Sequence, residues 1–163
     1  MSVKPIPEGY HSVSPYITVQ DSAKAIDFYK RAFGATEHAR MQGPDGRIAH
    51  AEIKVGDSMI MLADETPMND CKSPQSVGGT TVNLFLYVTD VDSVYNRAVS
   101  AGAKAVAQPQ DMFWGDRFGK LLDPFGHSWA LATHKEDVSP EEMQKRMKAA
   151  MAQAPQTQTA KPA

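Results

Sequence analysis

The chain has 163 residues, of which 42% are hydrophobic and 22% charged, and its formal net charge is −2. This balance is near the globular average and provides no basic field for nucleic acid or an anionic membrane, so neither is an expected partner. No apolar run approaches the roughly 18 residues of a membrane span. The start MSVKPIPEGYHS lacks a signal-peptide core and Cys71 is the single cysteine, which together favour a cytoplasmic protein.

A strand–helix pattern occurs twice, at residues 13–35 and again at 82–103. The offset is 69 residues for three pairs, Val13 and Val82, Val19 and Val88, and Asp21 and Asp90, and omitting Phe33 also aligns the Gly-Ala stops. Each copy runs from a β-rich segment through an acidic helix cap and an amphipathic helix to a Gly-Ala stop. Such a repeat in a short chain predicts two fused half-domains that share one core.

The first copy opens a module at residues 13–64, which follows an extended lead-in at 1–12. Asp21 is predicted to cap the helix of this module, because its carboxylate can accept bonds from the first unpaired N–H groups. Gly34 is predicted to end that helix. Alternating and β-branched residues predict strands at 13–19, 36–41, 48–55 and 58–62.

The segment 65–80 has no periodicity and many turn-forming residues, which predicts either a linker or a mobile cover over a site. A second module at 81–134 repeats the plan of the first. A capped helix is then expected at 139–152, with a methionine stripe suited to packing on the body or on a second subunit, before a disordered tail at 153–163. The strands of the second module are predicted at 81–89, 104–107, 116–122 and 128–133.

The predicted strands have two unlike faces. Leu84 and Leu86 share an aliphatic face, whereas Phe85 and Tyr87 lie on the opposite face with polar groups. The aliphatic faces are expected to pack on the two helices. The aromatic and polar faces either enclose a concave binding cavity or simply face water, and alternation alone leaves both interpretations open.

Four motifs resemble a known family: AIDFYKRAFGA, HAEIKVGDSMIML, LYVTDVD and FWGDRFGKLLDPFGHSWAL. The chain is similar over about residues 12–134 to the vicinal oxygen chelate superfamily, which includes glyoxalase I and bleomycin-binding proteins, and most of all to its PhnB-like branch. The resemblance implies an α+β fold of tandem β-α-β-β-β modules. Their curved mixed sheets would enclose a cavity, with an added C-terminal helix, and a homodimer is expected.

Enzymes of this superfamily usually hold a divalent metal at the centre of the cavity. Carried over motif by motif, the resemblance places the ligand positions at Ser14, Met61, Asn83 and Ala130. None of these residues is His, Glu, Asp or Cys, and their side chains do not hold such a metal with useful affinity. No cofactor is therefore predicted, and the metal-dependent glyoxalase reaction is not expected.

Other residues on the same faces could still bind or react. His50 and Glu52 lie two apart on one strand, so they form either an acid–base pair or a hydrogen-bonded pair that orders the hairpin. Lys120 could form an ion pair with Glu52 across the sheets. Trp114 and Phe118 either stack on a flat ligand or fill the cavity.

Three functional hypotheses stay open. The first is metal-independent binding of a small, partly apolar molecule between the modules, as in bleomycin-binding proteins. The second is a lyase, isomerase or transferase with His50 or Glu52 as general base, with or without an atypical divalent metal whose third ligand is a residue such as Asp116. The third is an interaction protein whose cavity is filled by aromatic side chains. The predicted ligand-binding residues are Tyr16, His50, Glu52, Met59, Met61, Asn83, Phe85, Trp114, Phe118 and Lys120.

Overall fold

The computed structural model describes residues 3–67 and 70–153. It contains two four-stranded mixed sheets and their helices, which confirms the predicted α+β class. The predicted disordered tail lies, from residue 154 onward, outside the described residues. The elements are β1 Tyr16–Val19, α1 Ser22–Phe33, β2 Thr36–Gln42, β3 Ile48–Val55, β4 Ser58–Asp64, α2 Pro74–Val77, β5 Asn83–Tyr87, α3 Val91–Ser100, β6 Lys104–Asp111, β7 Asp116–Leu122, β8 Ser128–His134 and α4 Pro140–Gln153.

The two sheets have the same topology. Their strand orders are β1-β4-β3-β2 and β5-β8-β7-β6, and only the first pair in each sheet is parallel. Even the register repeats, since Tyr16 lies opposite Met61 and Phe85 lies opposite Ala130. We call β1–β4 with α1 the first module and β5–β8 with α3 the second module.

The long helices of the two modules begin in the same way. The Asp21 carboxylate accepts a 3.0 Å hydrogen bond from the Lys24 N–H, and Asp90 accepts a 3.1 Å bond from the Ser93 N–H. Both acidic residues are thus N-caps, as predicted for Asp21, and in the second module the cap is Asp90, one of two candidates with Asp92. Gly34 ends α1 with φ of 69°, a left-handed conformation that glycine adopts without a steric penalty.

One buried core joins the two modules. The Tyr29 hydroxyl of the first module donates a 2.7 Å hydrogen bond to the Asp123 carboxylate of the second. Trp129 donates to the same oxygen through Nε1 at 2.9 Å and packs on Phe33, with ring centroids 4.5 Å apart. Trp129 is only 1% exposed and belongs to this shared core.

β1 and β5 are shorter than the predicted strands at 13–19 and 81–89, and two other regions differ more from the prediction. β6 continues to Asp111 through Pro109, where the sequence predicts a loop, because irregular register against β7 lets the chain stay paired around the proline. The irregular segment between the modules contains the short helix α2, which Ser73 caps. Four residues are too few to produce a helical pattern in the sequence.

The last helix, α4, follows the second module. The Ser139 hydroxyl accepts a bond from the Glu142 N–H at 3.3 Å, and Arg146 forms a two-pronged ion pair with Glu136. No helix within residues 3–67 and 70–153 is long and apolar enough to cross a membrane.

Candidate functional site

Three predicted residues form a hydrogen-bonded chain on the first module. The Tyr16 hydroxyl lies 3.3 Å from His50 Nδ1, and His50 Nε2 lies 3.2 Å from Glu52 Oε1. Strand alternation places all three opposite the buried face that packs on α1. The structure therefore brings His50 and Glu52 together as the sequence predicts.

The hydrogen-bond partners fix one consistent arrangement of protons when the imidazole is neutral. An ionised carboxylate only accepts hydrogen bonds, so His50 Nε2 carries the proton that Glu52 receives. Nδ1 then accepts the proton of the Tyr16 hydroxyl. Both ring nitrogens of His50 are occupied, and neither is left over to take a proton from a substrate.

The extended lead-in lies over Glu52 and closes one side of a cavity of about 630 Å³. Tyr10 donates a hydrogen bond to the Glu52 carboxylate. Burial and this hydrogen bond raise the pKa of Tyr10 to about 12, so its hydroxyl stays protonated. This lead-in cavity is lined by Pro5, Ile6, Pro7, Tyr10, His11, Ser12, Ser14, Glu52 and Met61.

Glu52 is the acidic group of the lead-in cavity. Hydrogen bonds from Tyr10 and then from His50 lower the pKa of its carboxyl below the ordinary value. The side chain is therefore a stable anion near neutral pH. Sequence reasoning missed the contribution of Tyr10, because a contact across 42 residues (Tyr10 to Glu52) leaves no periodic pattern.

The equivalent face of the second module is aromatic. Ring centroids lie 5.9 Å apart for Phe85 and Phe118, and 5.8 Å apart for Trp114 and Phe118. Phe85 also contacts Tyr87, and these two rings are 51% and 61% exposed. The predicted aromatic residues thus cluster, but they form an open surface on their own module.

Asp116 lies beneath this aromatic cluster and is 4% exposed. Its carboxylate accepts hydrogen bonds from the Tyr87 hydroxyl and Trp114 Nε1 at 3.1 Å, and from His134 Nδ1 at 2.8 Å. The contact with His134 was missed from the sequence, although the hairpin register that pairs it with Asp116 could have indicated it. Asp116 therefore serves its own module and is not arranged as a third ligand beside His50.

The remaining predicted residues lie at three further places. Met59 and Phe85 border a cavity of about 150 Å³ between the modules, which Trp129 also lines. Asn83 accepts a hydrogen bond from the Ser128 hydroxyl. Lys120 lines a cleft beside the inter-module segment and does not meet Glu52. The ten predicted residues are thus distributed over separate surfaces.

The matching family model identifies the chain. The Glyoxalase/Bleomycin resistance protein/Dioxygenase superfamily model matches residues 10–131. The chain belongs to this superfamily.

Individual relatives agree with that assignment. An uncharacterized protein of Mycobacterium bovis is 43% identical over 139 residues, which cover 83% of this chain and 91% of that protein. The crystal structure of TioX from Micromonospora sp. ML1 is 29% identical with a TM-score of 0.60, covering 76% of this chain and 99% of TioX. The PhnB protein of Bacillus cereus, 17% identical, shares the fold with a TM-score of 0.59, covering 76% of this chain and 99% of PhnB. The predicted superfamily is confirmed, with a PhnB protein among its structural neighbours.

The superfamily's metal-ligand positions do not fit a divalent metal in this chain. Ser14 Oγ lies 3.4 Å from the His11 carbonyl oxygen, to which it donates, and Ala130 has no ligating atom in its side chain. Met61 offers a thioether and Asn83 an amide that is already bonded to Ser128. Within residues 3–67 and 70–153, no three His, Cys, Asp or Glu side chains are grouped as metal ligands. The donor set is too weak for Zn²⁺ or Mn²⁺.

Proposed function

We propose that this superfamily member binds a small, partly apolar molecule in the lead-in cavity without a metal. The observation that carries the proposal is the position of Glu52, an anion at the wall of a cavity that also has apolar wall residues, namely Pro5, Ile6, Pro7 and Met61. A few placed polar groups among apolar walls are typical of small-molecule sites.

The chemistry of the cavity favours a ligand with a hydrogen-bond donor. Glu52 receives hydrogen bonds from Tyr10 and His50, and a carboxylate offers about four acceptor positions, so capacity remains. Pro5, Ile6 and Met61 would contact the apolar body of the ligand. We therefore propose an amine or a similar donor on an apolar scaffold as the ligand class.

Binding is favoured over general-base catalysis for two reasons. The lowered pKa of Glu52 makes its carboxylate a weak base. His50 uses both ring nitrogens in hydrogen bonds to Tyr16 and Glu52. A partly apolar site that works without a metal would suit sequestration, which is the role of bleomycin-binding members of the superfamily.

The second candidate is a glyoxalase-type lyase, isomerase or transferase. The 3.2 Å contact between His50 and Glu52 favours it, because Glu52 lines the lead-in cavity and would exchange a proton with a ligand there, while His50 would hold the carboxylate in place. Turnover of a panel of small aldehydes by the natural protein, abolished in His50→Ala, would support the enzyme. Absence of turnover with retained binding supports sequestration.

The binding proposal is tested by NMR titration of the ¹⁵N-labelled protein with benzylamine in a chelating buffer. We expect chemical-shift changes at the amides of Tyr10, Ser12 and Ser14, because these residues line the same cavity as Glu52. Glu52→Gln should weaken binding about tenfold, since it removes one charge-assisted hydrogen bond. Shifts outside the lead-in cavity, or binding that requires added Mn²⁺, would overturn the proposal.

Two variants control this titration. Tyr10→Phe removes one hydrogen bond to Glu52 but keeps the cavity wall, so it should change affinity less than Glu52→Gln does. Glu141→Gln removes an exposed charge on α4 and should leave benzylamine affinity unchanged. If Glu141→Gln lowered benzylamine affinity as much as Glu52→Gln does, the net charge of the protein and not the position of Glu52 would determine the affinity.

The resemblance also leads us to propose a cytoplasmic homodimer. The stripe of Met143, Met147 and Met151 is compatible with packing on a second copy, since Met151 is 69% exposed. Exposed aromatic rings on the second module offer further apolar surface. Sedimentation at micromolar concentration tests the dimer, and a single monomeric species would contradict it.

A further inference from the structure

A second cavity lies between the inter-module segment and the sheet of the second module. It has a volume of about 450 Å³ and is separate from the lead-in cavity. We call it the linker cleft. Its lining includes Pro74, Gly78 and Gly79 of the inter-module segment together with Val106, Lys120 and Leu122 of the sheet.

Lys120 is the cation of the linker cleft. Its side chain is half-buried and makes no hydrogen bond or ion pair with any residue in the described ranges 3–67 and 70–153. Among the described residues, no carboxylate lines the cleft. Glu52, with which the sequence allowed an ion pair, is instead bonded to Tyr10 and His50. The ammonium group of Lys120 therefore has no anionic partner among the described residues, and the other residues that line the cleft are uncharged.

The wall opposite the sheet is held in place by tight contacts. A Cβ atom on Gly126 would come within 2.8 Å of Pro74 Cβ, so the inter-module segment lies directly on the β7–β8 turn. Gln75 Nε2 also donates a 3.1 Å hydrogen bond to the Pro124 carbonyl oxygen of that turn. The cleft is thus formed before any ligand enters it, which lowers the cost of binding.

We propose that the linker cleft binds a small organic carboxylate with an apolar body. The carboxylate would pair with the Lys120 ammonium, and the body would contact Val106 and Leu122. A single lysine in a lining that is otherwise uncharged matches a monoanion better than a multiply charged phosphate. The inference does not depend on the proposed function, because the two cavities share no lining residue.

The proposal is tested by NMR titration of the ¹⁵N-labelled protein with benzoate and, in parallel, with benzamide as its neutral analogue. Benzoate should shift the amides of Gly78, Gly79 and Gly126 and should bind at least about fivefold more tightly than benzamide, the size expected of one partly exposed charge-assisted bond. Lys120→Met should reduce benzoate affinity to that of benzamide, whereas Lys120→Arg should retain it.

Several outcomes would overturn the proposal. These are equal binding of benzoate and benzamide, unchanged benzoate binding in Lys120→Met, or shifts at residues remote from the cleft. The proposal would also be wrong if inorganic phosphate bound as tightly as benzoate, because the apolar body of the ligand would then contribute nothing to binding. Lys148→Met, at an exposed position of α4, is the control and should have no effect. Benzylamine binding in the lead-in cavity should be the same in the natural protein and in Lys120→Met. The benzylamine and benzoate titrations therefore test the lead-in cavity and the linker cleft independently of each other.

Discussion

The two modules share one backbone plan but present different chemistry at matching positions. Glu52 lies opposite Met61 in the first module, and Lys120 lies opposite Ala130 in the second. The register thus puts an acid and a base at equivalent points. The first module surrounds its acid with hydrogen-bond donors, whereas the second leaves its base unpaired among the described residues. One backbone plan therefore presents an acidic side chain on one module and a basic side chain at the equivalent point of the other.

The same contrast holds for the joints that tie each helix to its sheet. In the first module the Asp64 carboxylate accepts the Ser22 N–H and, at 2.7 Å, the Ile48 N–H. In the second module the Thr133 hydroxyl accepts the Val91 N–H at 2.9 Å. Different side chains meet the same backbone requirement, because the N–H groups at a helix start need an acceptor.

The largest effect is expected at the turn of the second module. Asp123→Ala would leave four donors without their acceptor, namely Tyr29, Trp129 and the N–H groups of Phe125 and His127. We expect the free energy of unfolding to fall by about 4 kcal/mol, since buried donors would lose their partner. Urea unfolding of Asp123→Ala and of the natural protein measures this difference in the free energy of unfolding.

The matched turn of the first module provides the control. Asp57 is exposed and accepts a bond only from the neighbouring Ser58 hydroxyl within the described structure. Asp57→Ala should change the free energy of unfolding by less than about 0.5 kcal/mol. Equal losses in the two variants would contradict the asymmetry between the turns.

The second largest effect on the free energy of unfolding is expected where each long helix is hydrogen-bonded to its sheet. Asp64→Ala removes acceptors from two buried N–H groups, and Thr133→Val removes the acceptor from one. We expect losses of about 3 and about 1 kcal/mol, respectively, in the free energy of unfolding. Urea unfolding of both variants checks the order, and a larger loss in Thr133→Val would refute it.

Glu65 follows Asp64, and His134 follows Thr133. The stabilisation that each of these two residues contributes should change with pH in opposite directions. In the first module, hydrogen bonds from Ser73 and Ser76 lower the pKa of Glu65 from 4.5 to about 2. The resulting stabilisation is present above pH 4.5 and is lost as the pH falls toward 2. Urea midpoints of Glu65→Gln should therefore depend less on pH in this window than those of the natural protein. An unchanged slope would show that Glu65 does not contribute.

In the second module the matching residue is His134, where we expect the smallest effect. Hydrogen bonds to Asp116 and then to Asp137 raise its pKa above the ordinary 6.5. The stabilisation is complete below pH 6.5 and is lost as the pH rises through the raised pKa. The melting temperature of His134→Asn should not show this alkaline decline. His38→Asn, exposed on β2, is the control and should retain it.

Much of the fold could be predicted because its causes are local or periodic. The alternation in 48–55 and 116–122 defines β3 and β7 at the bounds that the structure has. Asp21 and Asp90 indicate where their helices begin, because each carboxylate accepts a hydrogen bond from an N–H group in the first turn. Register irregularity around Pro109 and the four-residue helix α2 depend on tertiary contacts, which periodicity does not record.

The candidate site was only partly predictable. His50 and Glu52 lie on one strand face, so their contact follows from alternation. Tyr10 reaches Glu52 from an extended lead-in, and nothing in a sequence fixes where such a segment lies. The assumption of one cavity between the modules likewise required knowledge of how the two sheets face each other. Chemistry within an element can be read from sequence, whereas chemistry between elements needs the structure.

The central claim is that this superfamily scaffold works without its usual metal, because Ser14, Met61, Asn83 and Ala130 replace the ligands. Elemental analysis of protein purified without chelator tests it most directly. We predict zinc, manganese and nickel contents far below one ion per chain. A stoichiometric ion that is lost in Met61→Leu or Asn83→Leu would contradict the account.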